Sequence, residues 1–369
     1  MQLKATIFLA FLGIGLIPSL SAEKKSQDTI TFGQSLTLDG ALGIYGRIIQ
    51  NAIHTRMQRI NDAGGIDGKK LKLVSMNDSG DPKKTLDNIE KMRADGIDMF
   101  IGNMGTRSIL KILPLIESQE IALFFPWSGY EKFRDPKLTH IINGPGLLQT
   151  QLDGIGEYIK QNLKIKKIAI FHADDDFSTD GARDLTKMLV DHGITPVATA
   201  SYNRFTLDIK TPAEKLLDAD PKIVICISTS MPAAKLINYF YSNGDYGTTF
   251  FGIDSTNFVG DIVKERGAEF YYSSAVPDPT TSAMPIAKQY LDDIKKYYPD
   301  EIPNTLSFMY YVCCAILLDA INQIDGPITK TSIINAIEHM QHHNVDGFSV
   351  TFDAKNRHAL GEKISIIKG

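Results

Sequence analysis

The sequence predicts an α/β protein built from two doubly wound lobes in tandem. Three observations predict it. Short apolar runs alternate with amphipathic helical stretches, an order that calls for a parallel sheet covered by helices on both faces. That alternation runs once from Thr29 to Phe125 and starts again at Lys167. The chain has 369 residues, too many for one small core.

The first half opens with a strand at 29–35 (TITFGQS). A helix over 46–62 carries Ile49, Ile53, Met57 and Ile60 on one face and stops at Ala63-Gly64-Gly65, where glycine accepts the left-handed turn a helix end needs. A strand at 71–76 follows, then a helix with Pro82 in its first turn. A third strand is expected at 97–101, a helix at 108–117 and a fourth strand at 121–125. The second half reads as strands at 167–171, 195–200, 222–227, 250–253 and 270–274, separated by helices at 180–192, 211–218, 232–242 and 257–266. Near the end, 306–324 and 331–340 are helical in pattern. Segments 348–352 and 363–367 are expected to form a hairpin around 353–361.

Residues 1–22 read as a cleaved export signal. Lys4 gives a positive start, 5–17 an apolar run, and Pro18, Ser19, Ser21 and Ala22 the small residues of a cleavage region. The run is shorter than the roughly 20 residues of a membrane span. No disulfide framework accompanies the signal: Cys226, Cys313 and Cys314 fall in apolar strand and helix patterns and read as buried thiols. The composition, 43% hydrophobic and 22% charged with net charge −4, has no basic stripe and excludes a nucleic-acid partner.

In open α/β sheets ligands sit at the carboxyl ends of strands. That edge comprises the loops 36–45, 77–81, 102–107, 126–130, 172–179, 228–231 and 254–257. If both lobes turn these loops toward each other, the site is the cleft between them.

Several segments carry a family resemblance. They are GQSLTLDGALGIYG and INDAGGIDG within 33–68, the strand ending at Asn77-Asp78 with Asp81-Pro82 after it, Ile101-Gly102 before the Thr106 helix start, and Pro126-Trp127-Ser128-Gly129-Tyr130-Glu131 through Arg134. Together they resemble the type I periplasmic solute-binding proteins of ABC transporters, of the leucine/isoleucine/valine-binding class. The similarity runs over essentially the whole mature chain. It implies two Rossmann-like lobes joined by a three-crossover hinge, with crossovers near 143–146, 275–279 and 346–347. The N-terminal lobe would hold 27–144 plus 277–346, and the C-terminal lobe 145–276 plus 347–369. It further implies a monomeric periplasmic receptor, with no enzyme activity and no cofactor. Such a receptor closes on a small amino acid or organic acid and hands it to an ABC permease in the inner membrane. The same clamp serving chemotaxis or signalling is the alternative.

Nine residues become candidate ligand contacts. Thr106 falls where amino-acid-binding members place a hydroxyl on the ligand carboxylate, at a helix N-terminus whose N–H groups and dipole favour an anion; it also reads as a plain cap. Arg107 adds a second anion contact or faces solvent. Trp127, the only tryptophan, stands where those members carry a small residue, as a stacking wall or as core packing. Ser128 and Gly129 offer a hydroxyl and backbone N–H groups. Asp254 matches the acid that pairs with a ligand ammonium, or caps the helix before Asn257. Tyr45 and Phe177 match aromatic walls, Phe177 without the phenol hydroxyl, and Thr229 replaces an aromatic and widens the cleft. Gly80 and Gly105 replace a disulfide found in some members.

Two other patterns fall short of a metal site. Asp174-Asp175-Asp176 with Asp180-Gly181 lacks the glycine position and twelfth-position Glu of a calcium loop. His339, His342 and His343 have helical spacing, but no carboxylate or Cys completes a metal pattern. No nucleophile elbow, P-loop, HExxH or dinucleotide glycine motif is present.

Overall fold

A computed structural model of the chain describes residues 29–144, 146–355, 357–359 and 364–369. The expected export signal at 1–22 lies outside them. The first sheet is built from β1 (Thr29–Leu36), β2 (Lys70–Asn77), β3 (Met99–Ile101), β4 (Ala122–Phe124) and β5 (Ile141–Ile142). They stand in the order β2-β1-β3-β4-β5, all parallel. Their connecting helices are α1 (Gly43–Asp62), α2 (Pro82–Ala94) and α3 (Thr106–Glu117). After α4 (Leu148–Tyr158) comes β6 (Ile168–Ala173), α5 (Asp176–Asp191), β7 (Ala198–Tyr202), α6 (Lys210–Asp218), β8 (Ile223–Ile227), α7 (Ser230–Ser242), β9 (Thr249–Gly252), α8 (Val259–Val263) and β10 (Phe270–Ser274). The chain ends with α9 (Pro285–Tyr297), α10 (Thr305–Ile321), α11 (Lys330–Glu338), β11 (His343–Val345), β12 (Phe348–Val350) and β13 (Ser365–Lys368). The second sheet has the order β13-β10-β9-β8-β6-β7, with only β13 antiparallel. The two parallel-sheet lobes expected from the alternation are therefore present.

Strands covered on both faces must be apolar on both faces. β8, IVICI, meets this with all five residues buried, Cys226 among them. Each sheet accordingly has two apolar cores. In the first lobe α1, α9 and α10 pack on one face, and α2 and α3 on the other. In the second, α6, α7 and α8 cover one face, α4 and α5 the other. Helix α10 lies deepest: of its 17 residues only Asp319 escapes burial, and a helix apolar all round is stable only inside a core. No described helix is long and apolar enough to cross a membrane. The three cysteines are buried, and none is in a disulfide.

The C-terminal pairing differs from the expectation. Segment 348–350 pairs with 343–345, and β13 pairs with β10, more than 90 residues away. Asp346 and Gly347 have φ of 46° and 97° and form the two-residue turn between β11 and β12. Asp-Gly is the preferred pair where a hairpin turn needs two positive φ values, so this dipeptide is a turn, not a crossover between lobes. Val350, Phe352 and Ala359 bury in the first lobe's core beside α10. The last passage to the second sheet thus comes after Ala359, later than the expected 346–347. There the backbone is tied to the first crossing, with Asn143 N–H donating to Arg357 O (2.7 Å) and Ala359 N–H to Asn143 O (3.2 Å).

One buried carboxylate fixes the carboxyl edge of the first sheet. Asp78, just past β2, is fully buried and accepts from the hydroxyls of Ser35 (3.1 Å), Thr37 (3.2 Å) and Thr85 (3.0 Å) and from Gly80 N–H (2.9 Å). Thr85 also reaches the Ser108 hydroxyl at 2.9 Å, which ties the start of α2 to the start of α3. A buried charge holds its place only when its lone pairs are filled in this way. Asp78→Ala leaves the buried Ser35 and Thr37 hydroxyls without their acceptor, takes one of Thr85's partners, and should lower the unfolding free energy by roughly 3–5 kcal/mol. Urea denaturation measures it, and a loss under about 1 kcal/mol would show that the network holds nothing in place.

Candidate functional site

A cavity of about 470 Å³ lies between the carboxyl edges of the two sheets. All seven loops expected at those edges contribute to its lining, and so do all nine candidate residues: Tyr45, Thr106, Arg107, Trp127, Ser128, Gly129, Phe177, Thr229 and Asp254.

On the first-lobe wall the exits of β3 and β4 run side by side. Trp127 N–H donates to Asn103 O (2.8 Å) and Gly105 N–H to Trp127 O (3.2 Å), which extends the sheet past its last strand pairs. This brings the Thr106 and Ser128 hydroxyls to 2.8 Å from each other. Thr106 is the first residue of α3, and the cap position belongs to Gly105, which has no side chain to offer. The Thr106 hydroxyl is therefore not the helix cap, and the first N–H groups of α3 keep their affinity for an anion. Arg107, the next residue, is exposed and also lines the cavity. The Ser128 N–H is used in a turn to Pro126 O (3.0 Å), so of the two groups expected from Ser128 only the hydroxyl faces this wall. Gly129 is required by close approach: a Cβ there would stand 2.7 Å from Gly146 O and 2.8 Å from Leu148 N. Trp127 packs half-buried on the first core, as its packing alternative expects, and lines the cavity while its ring stacks on Tyr45 with centroids 5.2 Å apart and planes 23° from parallel.

On the second-lobe wall Asp254 follows β9. Its N–H donates to Gln151 Oε1 (2.8 Å), which also accepts from Ser273 Oγ (2.9 Å). No side-chain cap forms at the short turn Asp254–Thr256, and Asn257 N–H bonds the Asp254 main-chain oxygen instead (3.3 Å). The helix-cap role for the carboxylate is thereby set aside. Thr229 precedes α7 beside the Tyr202 hydroxyl, whose pKa burial and the nearby Asp175 push up. Phe177 packs against cores of both lobes, so it spans the cleft rather than lining one side of it.

Tyr45 joins the walls. It sits in the first turn of α1, which lies so close to the β1 exit that a Cβ on Gly46 would meet Thr37 O at 1.8 Å. Its hydroxyl donates to Ser255 O (3.0 Å) and accepts from Ser230 N–H (3.0 Å), both in the second lobe. Burial raises the Tyr45 pKa, which keeps the phenol protonated as the donor. The phenol also satisfies a first-turn N–H of α7, a helix that has no side-chain cap of its own. Phe258, from the second lobe, packs on Tyr45 at 5.8 Å.

The sequence reading missed several lining residues. Tyr202 ends β7, two residues later than the strand was expected to end, and Arg204, Phe205 and Leu207 come from the loop after it. Met309, Tyr310 and Cys313 come from α10, a helix with no strand-end signal. Elsewhere, Asp175 caps α5 by accepting from Ser178 N–H (2.8 Å) and pairs with Arg204 (3.2 Å), while His339 bonds the Asn335 carbonyl at the end of α11 (2.6 Å). Among the described residues no three His, Cys, Asp or Glu side chains form a metal-sized group.

Comparison with known proteins agrees with this fold. Over 200 residues, 54% of this chain and 52% of the relative, the sequence is 25% identical to the Leu/Ile/Val-binding protein BraC3 of Rhizobium johnstonii. The match thus spans about half the length of this relative. A possible leucine/isoleucine/valine-binding protein from Rhodopirellula baltica superposes with TM-score 0.83 at 20% identity, covering 93% of this chain and 96% of that one. A branched chain amino acid ABC transporter protein from Thermus thermophilus, solved with bound valine, also gives 0.83, at 18% identity over 93% and 94% of the two chains. Those two likenesses show the fold. The periplasmic binding protein family matches residues 29–367, and the chain belongs to it.

Proposed function

We propose that this protein is the periplasmic substrate-binding component of an ABC transporter, which captures a small amino acid or related carboxylate between its lobes and delivers it to the permease. The observation that carries the reading is the pairing of opposite chemistries across one cavity. The uncapped start of α3 with the Thr106 and Ser128 hydroxyls suits a carboxylate, and the Asp254 carboxylate on the facing lobe suits an ammonium. Export through the 1–22 signal and action as a monomer belong to the same proposal, and family membership supports it.

Binding begins on the first lobe, where the carboxylate takes the place water would hold at α3. The second lobe then swings about the crossovers and brings Asp254 and Phe177 over the ligand. Closure expels water and lowers the local dielectric, so each polar contact strengthens. The Tyr45 hydroxyl is the latch, because its two bonds exist only when the lobes meet.

Thr106→Ala and Asp254→Ala should each weaken amino-acid binding by about 1–3 kcal/mol, roughly 5- to 150-fold in Kd. Calorimetry that finds both variants binding like the parent would remove this assignment. Tyr45→Phe keeps the ring and deletes the latch. It should raise the dissociation rate several-fold in stopped-flow, about 1 kcal/mol for lost neutral hydrogen bonds, with a smaller effect on association. An unchanged dissociation rate would mean that the phenol does not hold the closed form.

A further inference from the structure

We infer that the ligand's apolar part is a planar ring, a group larger than a branched aliphatic side chain. This rests on the reading of the cavity as a carboxylate site and specifies its substrate class. Three observations carry it. The first is size: a cavity of about 470 Å³ falls among pockets that enclose ligands well beyond a branched-chain amino acid.

The second is the mouth. Among the described residues eight large hydrophobic side chains are exposed, and four of them line this cavity: Ile44 at 46%, Phe205 at 74%, Met231 at 47% and Ile262 at 42% exposure. Single exposed apolar residues are ordinary, but half of them gathered at one opening mark a surface meant to be covered. Phe205 is also held in place. The Arg204 guanidinium lies over its ring at 5.3 Å, Asp175 anchors Arg204, and the Asn203 side chain accepts from the N–H groups of Phe205 and Thr206, both at 3.0 Å.

The third is the chemistry of the walls. The Tyr45–Trp127 stack, Phe258 against Tyr45, and the thioethers of Met104 and Met309 make the interior aromatic and polarisable. Such surfaces prefer rings to branched alkyl groups, through edge and face contacts and sulfur–aromatic contacts.

Calorimetry with two matched pairs tests this: phenylalanine against leucine, and 3-phenylpropanoate against 4-methylpentanoate. The ring-bearing member of whichever pair binds should be tighter by about tenfold or more. Phe205→Ala, a change at the surface, should weaken the ring-bearing ligand about fivefold and leave the aliphatic one within about twofold. Aliphatic ligands that equal or exceed the ring-bearing ones overturn the inference while leaving the carboxylate site standing. A ring preference untouched by Phe205→Ala overturns the role given to the mouth. If none of the four binds, the carboxylate reading itself falls and the inference with it.

Discussion

In a parallel sheet every strand points the same way, so every connecting helix begins at one edge. That constraint governs this molecule. It gathers at the carboxyl edge of each sheet a set of helix N-termini, each with N–H groups that want an acceptor. When two such edges face each other, the cleft between them is rich in unspent donors. The chain satisfies some of these itself: Asp175 caps α5, and the Tyr45 phenol, from the opposite lobe, takes a first-turn N–H of α7. The start of α3 receives no such cap.

This difference organises the site. Helix starts that the chain satisfies itself hold the walls in shape, and the one at α7 also binds one lobe to the other, while the uncapped start of α3 lines the cavity. Asp78 makes this possible from below. Its buried carboxylate fixes the loop after β2 and, through Thr85 and Ser108, the first turn of α3. A carboxylate buried for structural reasons is thus linked, through two hydroxyls, to the helix turn that carries Thr106.

Much of the architecture was legible from periodicity. Buried strands of four to six apolar residues and amphipathic helices gave the β-α alternation, and strand ends gave the seven loops. What failed was non-local or uncommon in pattern. The partner of β13 is β10, far away in sequence, and no local rule selects it over the nearer 348–352. The Asp346-Gly347 turn carried a strong hairpin signal that was read as a passage between lobes. Helices α9 and α4 were both missed: α9 opens with Pro285, a start signal that was passed over, and α4 contains Gly154 and Gly156, which weaken a helical pattern. In the site, the strand-end rule found the polar groups but not Met309, Tyr310 or Cys313, which reach the cavity from the side of a core helix.

The central claim is that both lobes grip one guest, its carboxylate at α3 and its remainder toward Asp254 and the aromatic wall. A crystal structure of the protein with its tightest-binding carboxylate tests this most directly. The account predicts carboxylate oxygens within hydrogen-bonding distance of the Thr106 and Ser128 hydroxyls, with the Tyr45 hydroxyl still bridging to Ser230 and Ser255. A ligand held by one lobe alone, or bound outside the cavity between the sheets, would contradict it.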